Sequence, residues 1–167
     1  MMTPLLTLLI SSLLVPSSRT DREALLDRAG DNREQIRTVL ETVPADQLPS
    51  VTWLLERMPD ADLRALDAEF LVENAAEAFG AWREAPWHHR VDEDLFRDAI
   101  LPYACINERR DRWRRDFRER FGPLVAEAET PAEAAAILNQ KIFTMVGVKY
   151  STKRPKADQS PYESIEA

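Results

Sequence analysis

Asp60-Ala-Asp-Leu-Arg-Ala-Leu-Asp-Ala-Glu-Phe-Leu-Val-Glu-Asn-Ala-Ala-Glu-Ala-Phe-Gly-Ala-Trp82 is the longest run of regular apolar spacing in this chain. Leu63, Leu66, Phe70, Leu71, Ala75, Ala78, Phe79 and Trp82 recur at the three- and four-residue intervals of one helix face. Pro59 stands just before the stretch, and Asp60 is a suitable starting residue. The pattern predicts one long amphipathic helix opening at Asp60, and a helical rather than a sheet protein.

Upstream, the same period continues in shorter pieces. Leu25, Leu26 and Ala29 suggest a first turn or two, closed by Gly30. Asp31 and Asn32 are candidate caps for a helix bearing Ile36, Val39, Leu40 and Val43, which Pro44 ends. A helix opening at Asp46 carries Val51, Leu54, Leu55 and Met58, up to Pro59. Such short connections predict antiparallel neighbours.

Downstream, residues 85–89, Ala-Pro-Trp-His-His, read as a turn. Asp92 is placed to cap a short helix with Leu95, Phe96, Ile100 and Leu101, broken by Pro102. Asn107 is a candidate cap for an Arg-rich helix ended by Pro123. Thr130-Pro131-Ala132-Glu133 combines a hydroxyl cap, a proline at the first position and a capping-box glutamate. The helix it opens should bury Ala134, Ile137, Leu138, Ile142 and Phe143, and stop at Gly147. Val148 to Thr152 alternates like a short strand, and residues 153–167 are polar and aperiodic. The expected fold is mainly α, a multi-helix array of short antiparallel helices with an irregular C-terminal tail.

Composition agrees. Of 167 residues, 44% are hydrophobic and 31% charged, enough apolar content for a core and too much for wholesale disorder. Four Gly and many Ala, Leu, Glu and Arg favour helix. Leu5 to Val15 is nearly all apolar and too short for a comfortable membrane span, so residues 1–17 read as a signal-peptide-like segment. Val15 and Ser17 would flank its cleavage site, although no Lys or Arg precedes the apolar run. The expectation is an exported protein without a stable membrane span. Cys105 is the single cysteine, which excludes an intrachain disulfide.

The net charge of −7 is split unevenly. Residues 1–101 hold 10 basic and 19 acidic side chains, and residues 102–167 hold 12 and 10, so the halves carry −9 and +2. An acidic front half argues against a nucleic-acid partner.

Three clusters invite a chemical reading. Seven arginines lie between Arg109 and Arg120, interleaved with Glu108, Asp111, Asp116 and Glu119. Trp113, Phe117 and Phe121 fall four apart, so this reads as an amphipathic helix packed by its aromatics, with acid–base pairs along its outer face, more than as an anion-binding surface. His88 and His89 lie near Asp92 and Glu93, but adjacent loop histidines point apart and no metal-ligand spacing is present. Cys105 as a nucleophile would need a nearby base, and both histidines stand in one distant loop. The reading assigns no catalytic, cofactor-binding or metal residue and no cofactor.

Several motifs stand in a recognisable order. Phe70-Leu71-Val72-Glu73-Asn74 and Ala85-Pro86-Trp87 are similar to an "FLxEN…APW" stretch. Leu101-Pro102-Tyr103, Asn107-Glu108 and Trp113-Arg114 resemble an "LPY…NE…WR" lead-in. Both precede the triad domain in bacterial transglutaminase-like proteins, enzymes with a Cys-His-Asp triad. The helix around Asn139 resembles the first helix of that domain, and Lys149-Tyr150 the start of the segment after it, so the similarity covers Asp60 to Ala167. The resemblance implies a nucleophilic Cys just past Glu166, with His and Asp further on, and Cys105, His88 and His89 match none of these positions. It divides the chain into a signal-like segment 1–17, a helical domain 18–129 and the start of an incomplete transglutaminase-like domain at 130–167. The chain is then expected to be inactive by itself, as the helical part of an enzyme of acyl transfer or amide hydrolysis. Its partner would be the catalytic domain or a protein substrate. The alternative expectation is a stand-alone helical protein-interaction module, and a third, weaker one a small thiol enzyme using Cys105.

Overall fold

The computed structural model describes residues 19–105, 108–147 and 162. The signal-like segment, Asn107, the strand-like Val148 to Thr152 and all of the polar tail except Tyr162 lie outside the described residues. Within them the protein is mainly helical, with no strand.

Helix α1 spans Arg19–Ala29 and ends at Gly30, whose φ of 58° is the left-handed turn that favours glycine. Helix α2 spans Arg33–Thr42 and α3 Leu48–Arg57, and the breaks fall at Pro44 and Pro59 as expected. The predicted start at Asp46 is corrected: α3 begins at Leu48 without a side-chain cap, and Asp46 pairs instead with Arg83 at 2.5 Å. Asn32 stands at the α2 cap position but does not cap it. Its amide donates to the carbonyls of Leu63 and Leu66, at 2.9 and 2.8 Å.

Those two bonds bear on the stretch from Asp60 to Trp82, which is two helices and not one. Helix α4 is a single turn, Asp60–Leu63, and α5 spans Ala68–Glu84. Asp67 caps α5 by accepting from the Phe70 N–H at 2.6 Å. The carbonyls of Leu63 and Leu66, freed by the break, take the Asn32 amide, and the Ala68 N–H donates to the Gln35 side chain at 2.8 Å. A continuous apolar period therefore hides an interruption whose polar groups are satisfied by Asn32 and Gln35, at the start of α2.

After α5, His88–Arg90 form a 3₁₀ turn. Asp92 caps the one-turn α6, Glu93–Leu95, accepting from the Leu95 N–H at 2.8 Å. The chain then widens into a π turn, Phe96–Ile100, closed by the Leu101 N–H on the Phe96 carbonyl at 2.9 Å. Phe96 and Leu101 are both fully buried. Phe96 lies against Trp82 and Phe79, with ring centroids 4.4 and 4.5 Å away.

One apolar core runs from Leu25 to Tyr103, drawn from α1 to α5, Val91 and the π turn. Helix α5 is its central element, packed on α2 and the π turn and also on α7. The expected cap at Asn107 is corrected: helix α7, Arg114–Val125, starts seven residues later at Arg114 without a side-chain cap, and runs through Pro123, where the sequence suggested a stop. Helix α8, Pro131–Val146, packs mainly on α7. Thr130 caps it, accepting from the Glu133 N–H at 3.1 Å, and Glu133 reaches back to the Glu129 N–H at 2.9 Å. Gly147 closes it at φ 62°. The expected buried stripe of α8 is corrected. Only Ala134 is buried; Ile137, Leu138 and Ile142 are half-buried, and Phe143 and Met145 are 56% and 53% exposed. Among the described residues α8 has too little body beside it to cover that side.

Candidate functional site

The basic stretch ahead of and within α7 lies on the acidic face of α5. Arg112 reaches Glu73, Glu69 and Asp67 at 3.0, 3.1 and 3.2 Å. Arg115 pairs with Glu73 and Glu77 at 3.1 and 3.2 Å, and Arg118 with Glu77 and Glu84 at 2.8 and 2.5 Å. Arg118 crosses α5 over Gly80, where a Cβ would stand 2.7 Å from its guanidinium and oblige that side chain to shift. Of the pairing expected along the outer face of the Arg-rich helix, the described residues of α7 realise one pair, Arg120 with Asp116, four residues apart at 2.8 Å. Arg112, Arg115 and Arg118 reach across helices instead. An exposed pair contributes about 0–1 kcal/mol, but Glu77 is largely covered and takes two guanidinium groups. Burial raises its pKa, the hydrogen bonds and charges of Arg118 and Arg115 lower it, and the lowering prevails.

Arg110 serves another cluster. Its guanidinium donates to Asp62 at 2.8 Å, and Asp62 also accepts from the hydroxyl of buried Tyr103 at 2.7 Å. Burial first, then the Asp62 hydrogen bond, pushes the Tyr103 pKa well up, so the phenol stays neutral.

Arg114 differs from its neighbours. Each of the other six arginines in the stretch pairs with a described carboxylate. Arg114 donates to neutral groups only: the buried Asn74 side chain at 2.5 Å, the Ile100 carbonyl at 2.6 Å and the Pro102 carbonyl. Asn74 in turn donates to the Leu101 carbonyl at 2.9 Å. Burial pushes the Arg114 pKa down to about 10, which still leaves a cation at neutral pH. This is a mostly buried positive charge with no carboxylate partner among the described residues.

Arg114 also lines an open groove of about 950 Å³. Its walls are Trp87 from the turn after α5, Phe117 and Phe121 from α7, and Leu138 and Ile142 from α8. Glu77, Glu84 and Glu119 line it as well, with Arg115 and Arg118, which pair with the first two of these carboxylates. Ala134, Leu138, Ile142 and Met145 follow one another at four, four and three residues, so the apolar stripe of α8 passes through the groove and out of it. Tyr162 touches α7, its ring edge-on to Phe117 at 6.0 Å, and its hydroxyl donates to the Arg112 carbonyl at 3.1 Å.

The residues weighed for catalysis stay apart. Cys105 is exposed, its N–H donates to Glu108 at 2.9 Å, and no described histidine hydrogen-bonds it. His88 and His89 are exposed, with ring planes 89° apart, and His88 Nδ1 lies 3.0 Å from the Ala85 carbonyl. Among the described residues no group of three His, Cys, Asp or Glu side chains is placed to hold a metal, and no helix is long and apolar enough to cross a membrane. Sequence reasoning missed Arg114 with Asn74, and the docking of α7 on α5. The signal for the docking was present: Glu69, Glu73 and Glu77 recur every four residues, and Arg112, Arg115 and Arg118 every three. The chain was found similar to no protein-family model, no curated protein and no solved structure.

Proposed function

We propose that this chain is the non-catalytic helical part of an exported transglutaminase-like cysteine enzyme, with α8 as the first helix of the triad domain, on which the rest of that domain packs. The observation that carries the reading is the uncovered apolar side of α8, with Phe143 and Met145 more than half exposed. A helix capped at both ends, with its stripe left half in water, is suited to receive further apolar surface. The order of the "FLxEN…APW" and "LPY…NE…WR" resemblances supplies the family. In the whole enzyme a thiolate Cys would attack the acyl carbon, with His as the base and Asp orienting it. Those three groups would reside in the rest of that domain, seated on α8.

Reading the gene 3′ of codon 167 in all frames tests this. A Cys shortly downstream, followed by His and Asp segments, is expected; frames encoding none of them overturn it. Export is checked separately by N-terminal sequencing of the secreted chain, which should start near Ser18. A second reading, a stand-alone protein-interaction module, is favoured by the groove, which is built wholly from described residues. It expects one reproducible protein partner in a pull-down with the full chain, lost on Ile142→Glu.

A further inference from the structure

We infer that the groove between Trp87 and the α7–α8 pair is a receptor for an acidic, apolar peptide segment of the triad domain that covers α8, with a Glu or Asp side chain of that segment pairing with Arg114. The inference rests on the reading of α8 as the helix on which the rest of the triad domain packs, and it names the chemistry of that contact.

Charge singles out Arg114. Six of the seven arginines from Arg109 to Arg120 meet a described carboxylate, and the exception is one that lines the groove. Arg114 Nε and Nη2 are held by Asn74 and by the carbonyls of Ile100 and Pro102, whereas Nη1 has no hydrogen-bond partner among the described residues. The guanidinium is therefore oriented in advance, with one donor edge left over. A planar, fixed and mostly buried guanidinium favours a carboxylate over a neutral amide. Held by neutral dipoles alone, it has more to gain from an incoming anion than the paired Arg115 and Arg118 have.

The walls select the rest of the ligand. Trp87, Phe117 and Phe121 with Leu138 and Ile142 make an apolar surface suited to aliphatic or aromatic side chains. The stripe that floors the groove continues to Met145, beyond any small ligand. Of α8, Leu138 and Ile142 line the groove and Met145 lies beyond it, roughly 10 Å from Leu138 at 1.5 Å per residue, an extended apolar track suited to a docked peptide segment. A segment alternating apolar and acidic residues fits both features.

The experiment uses the full chain and two capped probe peptides, Ac-Leu-Phe-Glu-Leu-Phe-amide and the same peptide with Gln for Glu. Binding is followed by the indole N–H signals of Trp87 and Trp113 in solution NMR. The Glu peptide is expected to bind about tenfold more tightly than the Gln peptide and to weaken as salt is raised. Arg114→Met should abolish that preference. Because Arg114 also ties α7 to the π turn, Ile142→Glu serves as a second variant. It places a carboxylate at the groove wall, should leave the fold intact, and should block the Glu peptide. Equal affinity of the two peptides, or no shift with either at millimolar concentration, overturns the inference. Neither result touches the downstream-gene test, so the two readings fail separately.

Discussion

Asp62 ties together positions 41 and 48 residues further along the chain, Tyr103 and Arg110. Burial by itself raises its pKa, but the hydrogen bonds from Arg110 and Tyr103 and the charge of Arg110 outweigh burial, and the carboxyl lies below its ordinary 3.8. A carboxyl whose pKa is lower folded than unfolded adds stability at every pH above the unfolded value. That stability is lost as pH falls through 3.8 towards the folded value. Asp62→Ala would leave the Tyr103 hydroxyl buried without its acceptor and should cost about 1–3 kcal/mol at neutral pH. In urea melts the gap between native protein and variant should narrow below about pH 3.8. A gap of the same size at pH 7 and at about pH 2.5 would refute the assignment. From the sequence, Asp62 has no role and no pairing with Tyr103, because helical period places residues on faces and does not pair faces across 41 positions.

At the scale of elements, caps and breakers were the readable part. Pro44, Pro59, Gly30, Asp92, Thr130 and Gly147 each mark an end in the sequence and stand at one in the fold. The cap of α8 matters most, since that helix has little packing to hold it. Thr130→Ala should lower the stability of α8 by about 1 kcal/mol. Native-state hydrogen exchange should then show faster exchange in α8 while α2 and α5 keep their protection. Uniform loss across all helices would mean that α8 is part of the cooperative core. Two ends escaped the local signals. The break between α4 and α5 sits inside an unbroken apolar period, because Asn32 of a distant turn binds the freed carbonyls. Pro123 lies within α7, where its local effect is overridden by the packing of that helix on α5 and α8.

For the whole molecule, the apolar core and the α7–α8 pair are held differently. The core buries Phe96 completely, and Phe96→Ala should cost about 3–5 kcal/mol by thermal or urea melting. Phe143→Ser, at a site 56% exposed, should change stability by less than about 0.5 kcal/mol in thermal or urea melts. A large destabilisation by Phe143→Ser would show α8 to be covered within the chain itself. The attachment of α7 relies on carboxylate–guanidinium pairs in addition to Phe121, which joins a front half of charge −9 to the arginine stretch behind it. The sequence by itself determined the helical class, most helix ends, most core positions from Leu25 to Leu101, with Leu95 an exception left exposed, and the charge asymmetry. These follow from the period of the backbone, from capping chemistry and from composition, all local properties. Only the tertiary structure decided that the arginines lie on α5, that Arg114 alone among them meets no described carboxylate, and that the stripe of α8 stays open. Those outcomes depend on which faces meet, a choice made by charge and shape complementarity between segments some forty residues apart.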